Sequence, residues 1–212
     1  MKNFALLLLF LILLLISYAP VFAQNEKKPE FFAGYSFESV NTGISSSDFT
    51  ATTTRLDNRF KTNGLNLSAA DYFTKRLGVV ADFSANFNTR SDTFGSTASQ
   101  SKLSLYNITG GPQLRFPSSS KFTPFAHVLA GVARRNLTET FTGGATNFTD
   151  HNTSFTMNLG GGVDYKLNGR FSWRIAQFDY NPIFLRDRTF NSVTFPSRTL
   201  NGFRFSTGIV IK

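Results

Sequence analysis

Cysteine is absent from the 212 residues of this sequence, so it can form no disulfide framework and carries no acylated lipoprotein cysteine. Histidine occurs twice and tryptophan once, and 13 acidic residues stand against 22 basic ones, for a formal net charge of +9. Beyond residue 16, no apolar run approaches the roughly 18–20 residues of a membrane-spanning helix. A phosphate-binding glycine loop and a cluster of metal-ligating residues are also missing. These absences exclude disulfide scaffolds, a membrane-spanning helix after residue 16 and the common nucleotide and metal sites.

The N-terminus predicts export from the cytoplasm. Lys2 is followed by an apolar run from Phe4 to Ile16, and Val21-Phe22-Ala23 then supplies a signal-peptidase recognition site. We therefore expect a signal peptide over 1–23 and one exported domain over 24–212. A retained membrane anchor is the alternative, but the run is short for a spanning helix and a cleavage site follows it directly. An exported chain does not meet the cytoplasmic nucleic acids that its basic charge would otherwise suggest.

Phenylalanine is the most informative residue type that is present. The chain has 25 phenylalanines, yet its mean hydropathy is close to neutral, at −0.11. The aromatic residues alternate with Ser, Thr, Asn and Gly instead of forming long apolar runs. From Phe155 to Leu167 the odd positions are mostly apolar and the even positions polar or glycine. Period-two alternation with one apolar face is typical of strands in a membrane-spanning β-barrel, apolar outside and polar inside.

Eight segments show the alternation, and each has at least the roughly 9–11 residues that a tilted strand needs to cross the hydrocarbon. We predict strands over 30–39, 63–73, 77–87, 103–116, 122–134, 154–167, 171–180 and 200–212. The segments are joined alternately by short and long polar links, the long ones near 40–62, 88–102, 135–153 and 181–199. This alternation predicts an up-and-down barrel with short periplasmic turns, long external loops and both termini on the periplasmic side.

The short link at 168–170 can be tested for register. A three-residue loop places Tyr165 opposite Trp173, Val163 opposite Ile175 and Asp164 opposite Arg174, and Gly169 can take the left-handed conformation that such loops use. In the seventh strand, continued alternation would put Gln177 and Asp179 on the lipid face. We therefore predict a β-bulge near Ala176 that returns both side chains to the lumen.

These segments resemble the small outer-membrane β-barrel family that includes the OmpA transmembrane domain and the opacity proteins. The resemblance runs from Phe31-Phe32-Ala33-Gly34-Tyr35 to Phe203-Arg204-Phe205-Ser206-Thr207-Gly208, and includes Gly78-Val79-Val80-Ala81-Asp82-Phe83 and Thr123-Pro124-Phe125-Ala126-His127. It implies an all-β, eight-stranded antiparallel barrel in the bacterial outer membrane. The family's usual aromatic C-terminal residue is replaced here by Lys212. No cell-wall-binding domain is expected after the last strand.

An eight-stranded barrel is just wide enough for its own side chains to fill it. Because an unpaired buried charge is costly, we expect acids and bases in the lumen to be nearly balanced and to form a salt-bridge network, best defined by Asp164 and Arg174. His127 should be a hydrogen-bonded lumen residue without a catalytic role. The predicted network consists of Glu38, Asp82, Arg115, Asp164, Lys166, Arg174 and Arg204.

Arginines are frequent in or beside the long links, at the expected outer rim. There they could pair with phosphate or carboxylate groups of an anionic glycolipid, although ordinary solvated charge is the alternative. The residues concerned are Arg55, Arg59, Arg90, Arg134, Arg135, Arg186, Arg188 and Arg198.

Three functions follow from this pattern. The first is a monomeric, non-enzymatic outer-membrane barrel with no cofactor, in contact with lipid, whose loops meet an external partner. The second is a narrow porin-like channel for ions or small solutes. The third is a soluble exported barrel of lipocalin type, which would need apolar residues inside and polar residues outside.

Overall fold

The computed structural model describes residues 29–41, 59–94, 97–117, 120–141, 148–190, 193–195 and 197–212. The predicted signal peptide lies outside these ranges. Ten strands occur within them, and the first seven and the last are long. They are β1 (Glu30–Asn41), β2 (Arg59–Tyr72), β3 (Leu77–Phe94), β4 (Thr97–Arg115), β5 (Phe122–Phe141), β6 (Phe148–Lys166), β7 (Phe171–Leu185), β8 (Arg188–Phe190), β9 (Val193–Phe195) and β10 (Arg198–Ile211).

The eight long strands form one closed antiparallel barrel, which confirms the predicted fold class. Each long strand pairs with the long strands before and after it in the chain, so that β7 pairs with β10 and the short β8 and β9 are left out of the barrel. β1 closes the ring by pairing with β10, from Phe31 opposite Ile211 to Val40 opposite Gly202. Closure leaves the spanning part of the sheet without a free edge. We call the end of the barrel with the links 73–76, 116–121 and 167–170 the turn end, and the opposite end the loop end.

The barrel is apolar outside and polar inside. In β6, Phe155 and Leu159 are exposed on the outer wall, while Thr156, Asn158 and Asp164 on the opposite face are buried. The other strands repeat this pattern, so that an apolar outer surface surrounds a lumen filled with charged and amide side chains. An outer surface of this kind is suited to hydrocarbon and not to water. The soluble lipocalin-type alternative requires the reverse arrangement and is therefore wrong.

The strands extend further towards the loop end than the sequence pattern predicted. Residues 88–94 pair with 97–103, 135–141 pair with β4, and 135–139 pair with β6 as well, although these stretches were expected to be loops. Polar Ser and Thr residues obscure the alternation here, but ladder hydrogen bonds join backbone groups and do not require an apolar face. The expected loop at 181–199 likewise contains the two-stranded sheet of β8 and β9.

The turn after β6 is closed by backbone hydrogen bonds to the carbonyl of Phe171 and by the side chain of Asn168, without a left-handed glycine. Asn168 Oδ1 accepts hydrogen bonds from the backbone N–H groups of Arg170 (2.9 Å) and Phe171 (2.8 Å). Gly169 does not adopt the left-handed conformation, so that prediction was wrong. Asparagine can replace such a residue because its side chain mimics a backbone acceptor in a tight turn.

The predicted bulge in β7 is confirmed. Asp164 pairs with Arg174, but Val163 pairs with Ala176 and not with Ile175 as expected, because β7 carries one extra residue at this point. The partner strand β10 shows the same shift between Ser206 and Gly208. The extra residue moves each following side chain of β7 to the opposite face of the sheet. Gln177 and Asp179 therefore lie in the lumen, where both are buried.

Candidate functional site in the lumen and at the outer rim

Arg204 is the centre of the lumen's charge network. Its Nε and Nη2 donate to Asp179 Oδ2 at 3.0 and 2.7 Å, and its Nη1 donates to Asp82 Oδ1 at 2.8 Å. All three side chains are at most 3% exposed. One guanidinium thus joins β3, β7 and β10 across the lumen, which its planar, multiple-donor geometry allows and a lysine ammonium would not.

His127 reaches the same network across an intervening strand. Its Nε2 lies 2.8 Å from Asp179 Oδ1, although β6 separates β5 from β7. Gly160 of β6 pairs with both His127 and Asp179, and a Cβ atom placed there would overlap the Asp179 carboxylate. The contact between second-neighbour strands therefore depends on a lumen-facing glycine. His127 is a hydrogen-bonded lumen residue in this arrangement.

Glu38 is held by amides. Asn181 Nδ2 donates to its Oε1 at 3.0 Å, and Asn86 and Asn107 donate to its Oε2 at 3.0 and 3.5 Å. The side chain of Glu38 is fully buried. Asn181 reaches it past Gly202 of β10, where a Cβ would lie 3.0 Å from Glu38 Oε1. As at Gly160, a glycine on the intervening strand allows side chains from the strands on either side of it to make contact.

Asp164 and Arg174 form the pair expected from the hairpin register. Arg174 Nε and Nη2 donate to the two carboxylate oxygens of Asp164 at 2.8 and 3.3 Å. The guanidinium also lies between two rings, 4.4 Å from the centre of Phe32 and 4.3 Å from that of Phe125. Arg174 Nη1 donates to Gln177, which in turn donates to Asp179. The pair is therefore continuous with the network around Arg204.

Two predicted members lie away from this network. Arg115 pairs with Glu30 at the turn end, where Lys212 Nζ also approaches Glu30 (3.2 Å) and the Arg115 guanidinium stacks 3.8 Å from the ring centre of Tyr72. Lys166 is exposed at the end of β6. Strand alternation assigned both residues to the lumen face correctly, but it does not show how close to the end of the barrel a residue lies.

An apolar layer covers the polar network on the side of the loop end. Leu105, Ile183 and Leu200 are apolar although they occupy lumen-facing positions. Each is at most 2% exposed. The cavity between them is only about 10 Å³. A path along the lumen would have to cross this apolar layer and the paired charges below it. The layer consists of Val40, Leu103, Leu105, Ala133, Ile183 and Leu200, with Phe60, Leu137 and Leu185 packed against it.

The outer wall has an apolar row that runs across three strands near the loop end. Val132 of β5 pairs with Phe155 of β6, and Phe155 pairs with Phe184 of β7. All three side chains are exposed, and the two phenyl rings lie 5.8 Å apart. These residues mark the upper part of the apolar band.

A basic row follows the apolar one. Arg134 pairs with Thr153, and Arg186 lies two residues beyond Phe184, so that each is one outward-facing position closer to the loop end. Two residues of a strand span about 7 Å. Exposed His151, whose Nδ1 lies 2.9 Å from Asn136 Oδ1, lies on the next row. An open cavity of about 180 Å³ adjoins the basic row and is lined by His151, Asn152, Thr153, Ser154 and Arg186.

The remaining predicted rim arginines have different positions. Arg59 faces outward, donates to Ser39 and lies 5.5 Å from the ring centre of Phe203. Arg135 lines the small cavity beside the apolar layer, because alternation continues in β5 and turns it inward; its assignment to the outer rim was wrong. Arg90 is exposed on β3 and Arg198 is half-buried at the start of β10. Arg55 and the side chain of Arg188 lie outside the described part of the chain.

The asparagines of the lumen were missed by sequence reasoning. Five of them are fully buried and all make side-chain hydrogen bonds: Asn66, Asn86, Asn107, Asn158 and Asn181. The available signal was the recurrence of asparagine at lumen-facing positions of successive strands. The predicted network contained only charged residues, because these were taken as the markers of a buried network.

Two absences concern the described residues only. Within the described ranges, the chain forms no apolar helix of membrane-spanning length. In the same ranges, no three Cys, His, Asp or Glu side chains come together as a metal-binding group.

Comparison with known proteins supports the architecture. Residues 8–195 match the family of the outer membrane protein beta-barrel domain. No curated protein sequence matches the chain. Neisserial surface protein A is similar in structure, with a TM-score of 0.57 and 15% identity over 89% of this chain and 99% of that one.

Two further solved structures share the fold. Ail, the attachment invasion locus protein of Yersinia pestis, in complex with the heparin analogue sucrose octasulfate, has a TM-score of 0.51 and 15% identity over 88% of this chain and 99% of that one. The outer membrane protease OmpT from Escherichia coli has a TM-score of 0.50 and 7% identity over 89% of this chain and 97% of that one. Because the fold occurs in a protease as well, it does not by itself decide between catalytic and non-catalytic roles.

Proposed function

For this chain, which belongs to the outer membrane protein beta-barrel family and is located in the bacterial outer membrane, we propose a non-enzymatic, monomeric barrel that binds anionic glycolipid at its outer rim. The observation that carries the proposal is the basic row of Arg134 and Arg186 directly above the apolar row of Val132, Phe155 and Phe184. Side chains one step beyond the hydrocarbon lie at the level of the lipid headgroups, where arginine pairs well with phosphate.

The cavity beside the basic row supports the same proposal. It is polar, and Arg186 and His151 line it together with hydroxyl and amide groups. These groups suit a phosphate or a sulfate, which accepts several hydrogen bonds at once. Ail, which shares the fold, was crystallised with a polysulfated saccharide, so a polyanionic sugar is the class of ligand we assign here. The loops that follow the extended strands would meet partners outside the cell.

The test is glycolipid binding by a charge-removal variant. For Arg134→Gln/Arg186→Gln we expect binding of a bis-phosphorylated glycolipid in detergent micelles to weaken about tenfold, since each half-exposed ion pair contributes up to about 1 kcal/mol. Native mass spectrometry or labelled-lipid titration would measure this. The matched control is Lys75→Gln/Arg76→Gln, which removes the same charge from the exposed turn between β2 and β3. An equal loss in both variants, or equal binding of the dephosphorylated glycolipid, would refute the site.

The narrow channel remains the alternative function, and the lumen weighs against it. A permeating ion would have to cross the apolar layer around Leu105 and Ile183 and then displace Arg204 from two aspartates. Apolar constrictions exclude water and so block conduction. We therefore expect no conductance steps from the purified protein in planar bilayers. Regular conductance steps that are lost when Arg204 is replaced would establish transport and would refute the expectation that the barrel does not conduct ions.

A further inference from the structure

The central lumen carries more negative than positive charge. Its four buried carboxylates are Glu38, Asp82, Asp164 and Asp179, whereas Arg174 and Arg204 are its only buried arginines among the described residues. Four carboxylates against two arginines leave an excess of negative charge. Arg115 and Lys166, which were counted from the sequence among the bases of the lumen, lie at the turn end, and the bulge brings Asp179 into the central lumen.

Glu38 is the one of these four acids that forms no ion pair among the described residues. Arg204 lies directly opposite Glu38 in the β-ladder, yet all three of its bonding nitrogens donate to Asp179 and Asp82. Glu38 instead accepts hydrogen bonds from three asparagine amides. Amide dipoles stabilise a buried carboxylate but do not neutralise it.

Oxygen atoms without hydrogen-bond partners cluster around this carboxylate. Asn86 and Asn107, which donate to Glu38, each leave a buried Oδ1 without a partner. The Oγ atoms of Ser36 and Ser206 are also unpartnered, and both residues are fully buried. Unpaired buried acceptors are rare and costly, so each requires an explanation.

The register places three of these oxygens, those of Asn86, Ser36 and Ser206, in one row. Asn86 pairs with Gly64, Gly64 with Ser36, and Ser36 with Ser206 around β3, β2, β1 and β10. Glu38 is the next lumen-facing residue after Ser36, and Asn107 donates to it from outside the row. A carboxylate without an ion pair therefore lies beside a row of amide and hydroxyl oxygens that has no side chain at Gly64.

We propose that this row, together with Glu38 and Asn107, binds one monovalent metal cation, K⁺ or Na⁺. Neutral carbonyl and hydroxyl oxygens replace the hydration shell of alkali cations, whereas transition metals prefer imidazole or thiolate ligands. A divalent ion would overcompensate a single carboxylate. A buried water molecule could satisfy the free oxygens but would leave the charge of Glu38 uncompensated.

The test is the dependence of stability on cation identity after refolding into detergent. In K⁺ or Na⁺ the urea midpoint should rise with the logarithm of the salt concentration, above that in choline chloride of the same ionic strength, because a ligand of the folded state stabilises it by mass action. Glu38→Gln should abolish the difference between the salts. Asp164→Asn, which breaks a pair elsewhere in the lumen, should be less stable but should keep the difference.

A second measurement does not depend on how the variants fold. Wild-type protein refolded in Rb⁺ and transferred to a metal-free buffer should retain stoichiometric rubidium by elemental analysis. Equal midpoints in all three salts together with no retained rubidium would overturn the proposal, and would indicate that a proton on Glu38 balances the charge. Neither result affects glycolipid binding at the outer rim, which uses other residues.

Discussion

Replacing Arg204 by methionine is expected to lower the free energy of unfolding by about 3–5 kcal/mol, the usual cost of removing one partner from a buried ion pair. Arg204 donates to both Asp82 and Asp179, so its loss leaves two buried carboxylates without a bonded cation. Methionine retains most of the aliphatic volume, and the effect is therefore mainly electrostatic. Urea unfolding in lipid vesicles, or the temperature at which the folded gel band disappears, would measure the change.

Two further variants make this prediction specific. Arg76→Met removes an exposed arginine from the turn between β2 and β3 and should change stability by no more than about 0.5 kcal/mol. Adding Asp82→Asn and Asp179→Asn to Arg204→Met removes the uncompensated charges and should restore part of the lost stability. If the triple variant were as unstable as the sum of its single changes predicts, packing rather than charge would explain the loss.

Gly160→Ala is expected to destabilise the barrel by about 1–3 kcal/mol through overpacking. The added Cβ would overlap both the carbonyl oxygen of Phe178 on the adjacent strand and the carboxylate of Asp179. It would also separate Asp179 from His127, because their contact crosses β6 at this glycine. The measurement is the urea midpoint together with the fraction of protein that reaches the compact, heat-modifiable form on refolding.

The matched control is Gly169→Ala in the turn after β6. A Cβ there meets nothing within 4 Å, and the residue does not have a left-handed backbone. The control substitution should therefore leave stability unchanged or raise it slightly, since alanine restricts the unfolded chain. Equal destabilisation by both substitutions would indicate a general effect of glycine replacement and would exclude the proposed role of Gly160.

The two faces of each strand could be predicted from the sequence, because the period-two alternation within one strand shows which of its residues share a face. Phe155 and Asp164 had to lie on opposite faces in any regular strand, and the hairpin at 168–170 then placed Asp164 opposite Arg174. The bulge in β7 was also predictable, since Gln177 and Asp179 would otherwise face the lipid. Local geometry and the cost of exposing polar groups to hydrocarbon were sufficient for these conclusions.

The ends of the strands were less predictable. Residues 88–94 and 135–141 continue the ladders with polar side chains, and no local pattern distinguishes them from a loop. Arg135 illustrates the consequence, because a residue assigned to the outer rim lies on an inward-facing position of a longer strand. The two arginines of the basic row were assigned correctly to the rim, but their alignment with the apolar row required the register of three strands.

The sequence by itself determined the number of spanning strands, their inward and outward faces and the short turns, since these follow from alternation along one strand. Only the tertiary structure decided which side chains meet across the lumen. The contacts of Arg204 with Asp82 and of Glu38 with Asn86 join residues 122 and 48 positions apart. Such contacts depend on the stagger of the closed sheet and on glycines in the strands between, which no single strand reveals.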